Sequence, residues 1–145
     1  MSFTTEDSIP SFSDNFSLEL IPTKVNLFNT HPKNIQSILG HLLPIFLDHE
    51  FYCISQSDQE LSLVIPSKYS STFSKFPNMN CMEDTFIVLR IFQDTHQINE
   101  YGIVNKISKI FTDKDIPILY INSFNNNYVL IPENKLEALD DFIHY

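Results

Sequence analysis

One segment of the sequence has residue types that could bind an anion. Residues 93–103 lead from a predicted strand into a predicted helix and place Gly102 at the helix start. A helix N-terminus has unpaired N–H donors and a partial positive charge, and glycine lets a ligand approach the backbone closely. The segment therefore predicts a site for a carboxylate such as that of an amino acid. An ordinary loop with a permissive glycine is the alternative.

The residues that usually mark an enzyme or a metal site do not occur in the required spacing. Gly40 and Gly102 are the only glycines, which excludes a P-loop and a dinucleotide-binding GxGxxG turn. There is no GxSxG sequence, and no histidine belongs to an HxxxH motif or lies near a cysteine pair with zinc spacing. We therefore predict no catalytic residue, no metal site and no cofactor. A catalytic triad assembled from distant residues is the enzyme alternative.

The composition indicates a compact, acidic, cytoplasmic protein. Of the 145 residues 43% are apolar, which is too hydrophobic for a disordered chain. Eighteen Asp and Glu against nine Lys and Arg give a net charge of −9, which disfavours nucleic acid and anionic lipid as partners. Cys53 and Cys81 imply no disulfide framework, and the absence of a long apolar run argues against membrane insertion. Residues 1–16 are polar, and we expect a disordered tail.

The chain contains an internal duplication. Residues 51–66 align without a gap with residues 117–132, and both segments consist of two apolar runs around polar turn residues, ending at a proline. This pattern predicts a β-hairpin in each copy. Strands near residues 17–28 and 84–92 precede them, each followed by an amphipathic helix. The helices carry apolar residues at helical spacing, namely Ile35, Ile38, Leu39, Leu42 and Phe46 in the first and Ile103, Ile107, Ile110 and Phe111 in the second.

Each hairpin is followed by a further helical segment. Leu136, Leu139 and Ile143 predict a C-terminal helix after Pro132, whereas residues 67–76 predict only a weak helical turn. Pro44 is expected to kink or end the first long helix. Each copy is thus βαββα and lacks one strand of a ferredoxin-like βαββαβ sheet, so a fourth strand must come from elsewhere. The long leading segments could each cross between two sheets, with a break at Pro22.

The predicted fold is therefore α+β, with two interlocked ferredoxin-like repeats, antiparallel sheets and helices packed on one face. The first copy comprises residues 17–76 and the second copy residues 84–145. Residues 77–83 are the predicted linker between them.

The two copies resemble paired ACT domains. The resemblance is carried by residues 60–66, by the helix start at Gly102 and Ile103, and by residues 116–131, most sharply by the hairpin at 123–131. Within this family the chain looks most like the CASTOR-type arginine sensors. The resemblance implies a non-catalytic regulatory protein that binds a small molecule, usually an amino acid, at an ACT interface. It also implies nutrient sensing in the cytoplasm, with signalling to the TOR growth-control pathway through a regulatory protein complex.

Carried over by position, the resemblance also implies a set of ligand-binding residues. They are the loop residues Asn99, Glu100, Tyr101, Gly102 and Ile103, the strand-start residues Pro117 and Ile118, and the hairpin residues Asn126 and Asn127. Two departures argue against arginine specificity. Pro117 has no N–H where the family often has a donor, and Asn127 is neutral where an aspartate is common.

The sequence leaves two further questions of function. CASTOR proteins contain four ACT units and this chain two, so a homodimer would restore four. A ligand-free dimerisation or adaptor module that has lost the pocket is the main alternative to a sensor, and Pro117 and Asn127 are compatible with it. An RNA-binding ferredoxin-like domain would need basic grooves, which the acidic composition argues against.

Overall fold

A computed structural model describes residues 16–93 and 100–144. Its strands and helices follow the predicted order. They are β1 (Phe16–Thr30), a 3-10 turn (Pro32–Asn34), α1 (Ile35–Leu47), β2 (Cys53–Gln56), β3 (Leu61–Pro66), a 3-10 turn (Ser67–Tyr69), α2 (Ser70–Phe73), β4 (Asn80–Cys81), β5 (Phe86–Gln93), α3 (Glu100–Asp113), β6 (Leu119–Asn122), β7 (Asn127–Pro132), a 3-10 helix (Glu133–Phe142) and β8 (Ile143–His144). Residues 1–15, most of the predicted tail, lie outside the described residues.

The chain forms two compact units that do not coincide with the two sequence copies. The first unit comprises Ile21–Val88, and the second takes the residues up to Leu20 and those from Leu89 onward. The leading strands β1 and β5 are therefore each divided between the units. The repeat limits at 17–76 and 84–145 describe the duplication, and as domain boundaries they stay predictions.

The first unit has a sheet with strand order β2-β3-β1-β5. Strand β3 pairs antiparallel with β2 and with β1. The fourth strand, which the first copy lacks, is the beginning of β5, the leading strand of the second copy. Helices α1 and α2 cover one face of the sheet, and the core between them consists of Phe28, Ile38, Leu42, Ile45, Leu61, Leu63, Ile65 and Phe73.

The second unit repeats this arrangement with strand order β6-β7-β5-β1, so that β1 supplies its fourth strand. Its core includes Leu18, Leu89, Ile107, Phe111, Val129, Ile131 and Leu139, all buried. The predicted C-terminal α-helix is wrong in type. The segment is a 3-10 helix, and Ile143 is extended and pairs in parallel with Leu18. Leu136 and Leu139 are three residues apart, a spacing that fits both kinds of helix.

The two hairpins confirm the gapless alignment at the level of strand register. Cys53 faces Val64 in the first hairpin, and Leu119 faces Leu130 at the matching position of the second. Each hairpin has four residues in its first strand and six in its second. The sequence predicted the two hairpins, and the structure adds their register. Five of the six residues of β3 are buried, so no alternation of apolar and polar residues marks one face of that strand.

Helix α1 differs from its predicted form in the side that it buries. Its buried residues are Ile38, Leu42 and Ile45. Leu39 and Phe46, which the apolar periodicity places in the core, are 55% and 39% exposed. The helix also continues through Pro44 to Leu47. Gly40, whose carbonyl would accept the hydrogen bond missing at Pro44, is exposed, as is Pro44, so that water can bind there.

A group of charged residues connects the end of α1 with the turn after β3. The Lys68 ammonium lies 2.6 Å from an Asp48 carboxylate oxygen and 2.5 Å from one of Glu50. The Tyr69 hydroxyl donates to Asp48 at 2.6 Å. The hydrogen bonds from Lys68 and Tyr69 lower the pKa of Asp48, and those to Asp48 and Glu50 raise the pKa of Lys68.

We expect Asp48→Asn to lower Tm at pH 7 by a small amount, because the charged group is partly exposed. The Asp48 pKa is lower in the folded than in the unfolded chain, so its contribution is present above the unfolded pKa and is lost as pH falls through the folded value. The difference in Tm from the wild type should therefore shrink toward pH 2. Asp58→Asn, in an exposed turn, is the control, and an equal effect of both variants at pH 7 would contradict the prediction.

We also expect substitutions on the buried and on the exposed sides of the first unit's helices to lower the free energy of unfolding by very different amounts. Phe73 is fully buried, with ring centroids 6.1 Å from Phe28 and 5.8 Å from Phe76, so Phe73→Ala should cost about 3–5 kcal/mol in urea unfolding. Phe46→Ala removes a partly exposed ring and should cost less than about 1 kcal/mol in the monomer. Similar losses for both variants would contradict the core described above.

Candidate functional site

The loop residues predicted to bind a ligand are only partly within the described structure. Asn99 lies outside the described residues. Glu100, Tyr101, Gly102 and Ile103 form the first turn of α3, which begins at Glu100 as an N-terminal site requires, but their side chains lie outside the described part. This part of the predicted site stays a prediction.

The remaining predicted residues lie at opposite ends of one hairpin. Pro117 and Ile118 come just before β6, whereas Asn127 faces Asn122 at the turn. The strand between them is about 13 Å long at about 3.3 Å per residue. Within one copy, the two pairs are therefore not brought into a common cluster.

Pro117 lines a shallow cavity at the end of the hairpin opposite its turn. The cavity has a volume of about 540 Å³ and is lined by Thr112, Asp115, Ile116, Pro117 and Lys135. Pro117 is exposed and Ile118 is half-buried. This cavity has one cation and one anion on its walls but lies away from the start of α3 in sequence and away from the hairpin turn.

The turns of the two hairpins have the same hydrogen bonds. The Ser57 N–H donates to the Glu60 carbonyl at 2.8 Å, and the Ser123 N–H donates to the Asn126 carbonyl at 2.8 Å. The Ser57 hydroxyl accepts from the Glu60 N–H, and the Ser123 hydroxyl accepts from the Asn126 N–H. Asn126 of the predicted site therefore has a structural counterpart in the first copy, Glu60.

That counterpart lies on a cleft, here called the first-copy cleft. Its volume is about 570 Å³, and it is lined by Asn29, Thr30, His31, Lys33, Asn34, Gln59, Glu60, Asn78 and Asn80. It lies where β1 ends, where the segment leading into α1 begins and where β2 turns into β3. The loop that leads into the helix and the hairpin turn are also features on which the second-copy site was predicted, whereas the start of the first hairpin strand is not part of the cleft.

Hydrogen bonds between side chains and backbone hold the wall of the first-copy cleft. The Thr30 hydroxyl donates to the Asn78 carbonyl at 2.8 Å and accepts from the Asn34 amide at 2.8 Å. Asn80 donates from its amide to the Asn29 side chain at 2.8 Å. Asn78 has a φ of 62°, in the left-handed region that asparagine tolerates better than most residues. The cleft is therefore built from the end of β1 outward by polar contacts.

The charged groups of the first-copy cleft are of opposite sign. Lys33 and Glu60 are both exposed, and neither forms an ion pair with another residue that the structure describes. The Nδ1 atom of His31 accepts from the Lys33 N–H at 3.1 Å, so the proton of a neutral His31 is on Nε2. The cleft therefore offers a cation, an anion and a ring donor, which complement the carboxylate and the ammonium of a zwitterion.

Other kinds of chemistry find little support in the described residues. No group of three or more His, Cys, Asp or Glu among them is placed to hold a metal ion. Burial raises the pKa of the Cys53 thiol, and burial together with the Glu83 charge raises that of Cys81. Thiols with a raised pKa are protonated at neutral pH and are poor nucleophiles. In the described part of the chain, no helix is long and apolar enough to cross a membrane.

The sequence contained a signal for the first-copy cleft. The gapless alignment places Glu60 opposite Asn126. Residues 27–31 also resemble residues 91–96, and His31 and His96 end these two segments. The ligand site was predicted in the second copy because Gly102 lies at its helix start, whereas the first copy has no glycine at the corresponding place. The polar residues of the cleft, above all Asn78 and Asn80, follow the first copy and had no counterpart with which to align.

The comparisons with known proteins agree on the fold. The ACT domain family model matches residues 82–139. No curated protein matches the sequence. Of the solved structures, the chain is similar to a protein of unknown function from Vibrio cholerae, described as a possible transport protein, with a TM-score of 0.64 and 12% identity over 90% of this chain and 91% of that one.

Two further similar structures come from aspartate kinases. The regulatory subunit of aspartate kinase from Thermus flavus has a TM-score of 0.57 and 11% identity, over 86% of this chain and 91% of that one. A structure of aspartokinase alpha and beta subunits has a TM-score of 0.56 and 14% identity, over 87% and 93%. At such identities the likeness shows the fold alone. Residues 82–139 thus match the ACT domain family, and the chain as a whole has an ACT-like α+β fold.

Proposed function

We propose that this chain is a non-catalytic regulatory protein that binds an amino acid or a similar small zwitterion in the first-copy cleft. The single observation that carries the proposal is the presence of Lys33 and Glu60, both without an ion-pair partner in the described chain, on one cleft of about 570 Å³. Cavities of roughly 300–1,000 Å³ are typical of small-molecule sites. The match of residues 82–139 to the ACT domain family, whose members are typically regulatory and bind ligands, supports the same function.

In the proposed complex, each charged end of the ligand has one partner. The Lys33 ammonium binds the carboxylate, and the Glu60 carboxylate binds the ammonium. His31 Nε2 and the amides of Asn29 and Asn80, which also line the cleft, would bind polar atoms of the ligand side chain. Because the cleft has no activated nucleophile among the described groups, binding without turnover is the chemistry that it supports.

The second-copy site remains part of the proposal as a second, different site. It would use the residues from Asn99 to Ile103 with Asn126 and Asn127. Pro117 and Ile118 would be contributed by a second molecule of this chain. Asn126 is neutral where the first copy has Glu60, so this site would hold the ammonium group less strongly. Arginine is one candidate ligand. The second-copy site has a single carboxylate, Glu100, so it has no second carboxylate to bind a guanidinium as well as the ammonium group.

The regulatory step proposed here is a change in affinity for a protein partner. A ligand that joins the start of α1 to the β2–β3 turn favours the conformation in which the two are close, and a partner that binds that conformation better is favoured in turn. The likeness to regulatory subunits of aspartate kinase is consistent with such a role. We propose a cytoplasmic nutrient sensor that acts through a regulatory protein complex of the TOR-pathway kind.

The second candidate function is an adaptor that binds no ligand. It is favoured by the exposed Pro117, which offers no N–H, and by the neutral Asn127. An adaptor would keep the fold and its protein contacts, and the first-copy cleft would be only a solvated groove.

The sensor proposal predicts that a free amino acid at millimolar concentration raises Tm. At 100 times its Kd, a ligand adds about 2.7 kcal/mol of apparent stability, which is roughly 5–10 °C for a chain of this size. Glu60→Gln and Lys33→Met should each reduce the shift strongly. Both changes leave the hairpin turn intact, because the turn uses only backbone atoms of Glu60.

The matched control is Asn126→Ala, at the position of the second hairpin that corresponds to Glu60. It should leave the shift unchanged if the ligand binds in the first-copy cleft. Loss of the shift in Asn126→Ala or Glu100→Gln, but not in Glu60→Gln, would move the site to the second copy. If none of the twenty amino acids shifts the wild type, the sensor proposal fails and the adaptor is the better account.

A further inference from the structure

Helix α1 has an apolar surface on the side opposite to its core. Leu39, Leu43 and Leu47 are 55%, 57% and 70% exposed, and Phe46 is 39% exposed. Positions 39, 43, 46 and 47 are spaced by three and four residues, so the side chains lie on one side of the helix. Tyr52, which is 37% exposed, extends this surface, with its ring 5.4 Å from that of Phe46. These five residues are called the α1 face.

No charged residue interrupts the α1 face. The helix from Ile35 to Leu47 contains no Asp, Glu, Lys or Arg, in a chain of 145 residues that has 27 of them, nine basic and 18 acidic. A helix exposed to solvent usually carries charged residues on its outer side. This composition is typical of a helix whose core side and outer side are both covered by protein.

The duplicated helix α3 provides an internal comparison. Aligning Ile45 with Ile110 places Leu43 opposite Ser108 and Leu47 opposite Thr112. Ser108 is half-buried and Thr112 is exposed, whereas Phe111, which falls opposite Phe46, is buried. Two of the exposed leucine positions are therefore polar in the second copy. The apolar outer side of α1 is a property of this helix and not a requirement of the fold.

Gly40 is a second, independent feature of the same surface. It lies in the middle of α1, and a Cβ atom added there would meet nothing within 4 Å. Glycine inside an exposed helix is less favourable than alanine, and no contact with another described residue requires it here. Its position beside Leu39, Leu43 and Leu47 creates a shallow depression, which allows the backbone of another helix to come close.

We propose that the α1 face is the surface through which two copies of this chain associate. At roughly 200 Å² per large side chain, the five exposed fractions expose roughly 500 Å². Two such faces would bury roughly 1,000 Å² in total, which is the lower limit for a specific dimer. A chain of net charge −9 repels a second copy, and an uncharged helix is the part of the surface where that repulsion is least direct.

The spacing of the leucines suits pairing across a twofold axis. If Leu43 lies at the axis, antiparallel α1 helices place Leu39 of one copy opposite Leu47 of the other, and the same contact recurs by symmetry. Gly40 then lies within one turn of the axis, where the helices are nearest. This surface is separate from the Lys33 and Glu60 side chains, so the dimer does not depend on ligand binding.

The experiment is sedimentation velocity with light scattering from about 1 to 100 µM. The wild type should be a dimer with a Kd on the order of 1–10 µM, as its small interface suggests. Leu43→Glu and Leu47→Glu should each raise that Kd at least about tenfold, because like charges would meet in the interface. Leu47 is 70% exposed, so Leu47→Glu should keep the circular dichroism spectrum of the folded monomer.

The matched control is Thr112→Glu, which makes the same change in charge at the corresponding position of α3 and should leave the Kd unchanged. A 1:1 mixture of Leu43→Glu with Leu43→Lys should restore the dimer, because only contact between two α1 faces would pair the two charges. A monomeric wild type at 100 µM would overturn the proposal, whatever else binds the α1 face. A dimer that survives both glutamate variants, or one that Thr112→Glu dissociates, would overturn it as well.

Discussion

The structure depends on how the two leading strands are shared. A βαββα copy has only three strands, and the unpaired N–H and C=O groups along an open strand are costly to bury and prone to unwanted pairing. Each copy obtains its fourth strand from the other, since β5 completes the order β2-β3-β1-β5 and β1 completes β6-β7-β5-β1. Neither copy can form its four-stranded sheet alone.

The two copies have kept their backbone and diverged in their side chains. The hairpins share register and turn hydrogen bonds, which are made by main-chain atoms and by Ser57 or Ser123. Glu60 against Asn126 at the turn and Leu47 against Thr112 on the helix are differences at exposed or partly exposed positions, and Leu61 against Asn127 is a difference at a core position of the first copy. Substitutions at exposed positions usually cost little stability, so such positions can differ between the copies without changing the fold.

The sequence predicted those parts of the fold that have a strong local pattern. The apolar runs ending at Pro66 and Pro132 were enough to predict both hairpins, and the three strands counted in each copy were enough to predict the need for a fourth. Helix α1 was harder, because apolar residues on two sides of a helix do not show which side faces the core. The stretch after Pro132 was harder still, because Leu136 and Leu139 fit two helix types and β8 exists only through its pairing with Leu18. The first-copy cleft depends on residues distant in sequence, such as Thr30 and Asn78, which no local motif connects.

The exchange of strands also has a consequence for how such a chain could arise. A single ancestral copy would have completed its sheet only by trading its leading strand with a second, identical molecule, as a domain-swapped dimer does. Such a fold depends on protein concentration, because the two halves must first meet. Joining them through the segment between Phe76 and Asp84 makes that encounter intramolecular, at an effective concentration set by the connecting chain. Gene duplication and fusion would thus have turned an assembly that falls apart on dilution into a protein that folds as a monomer.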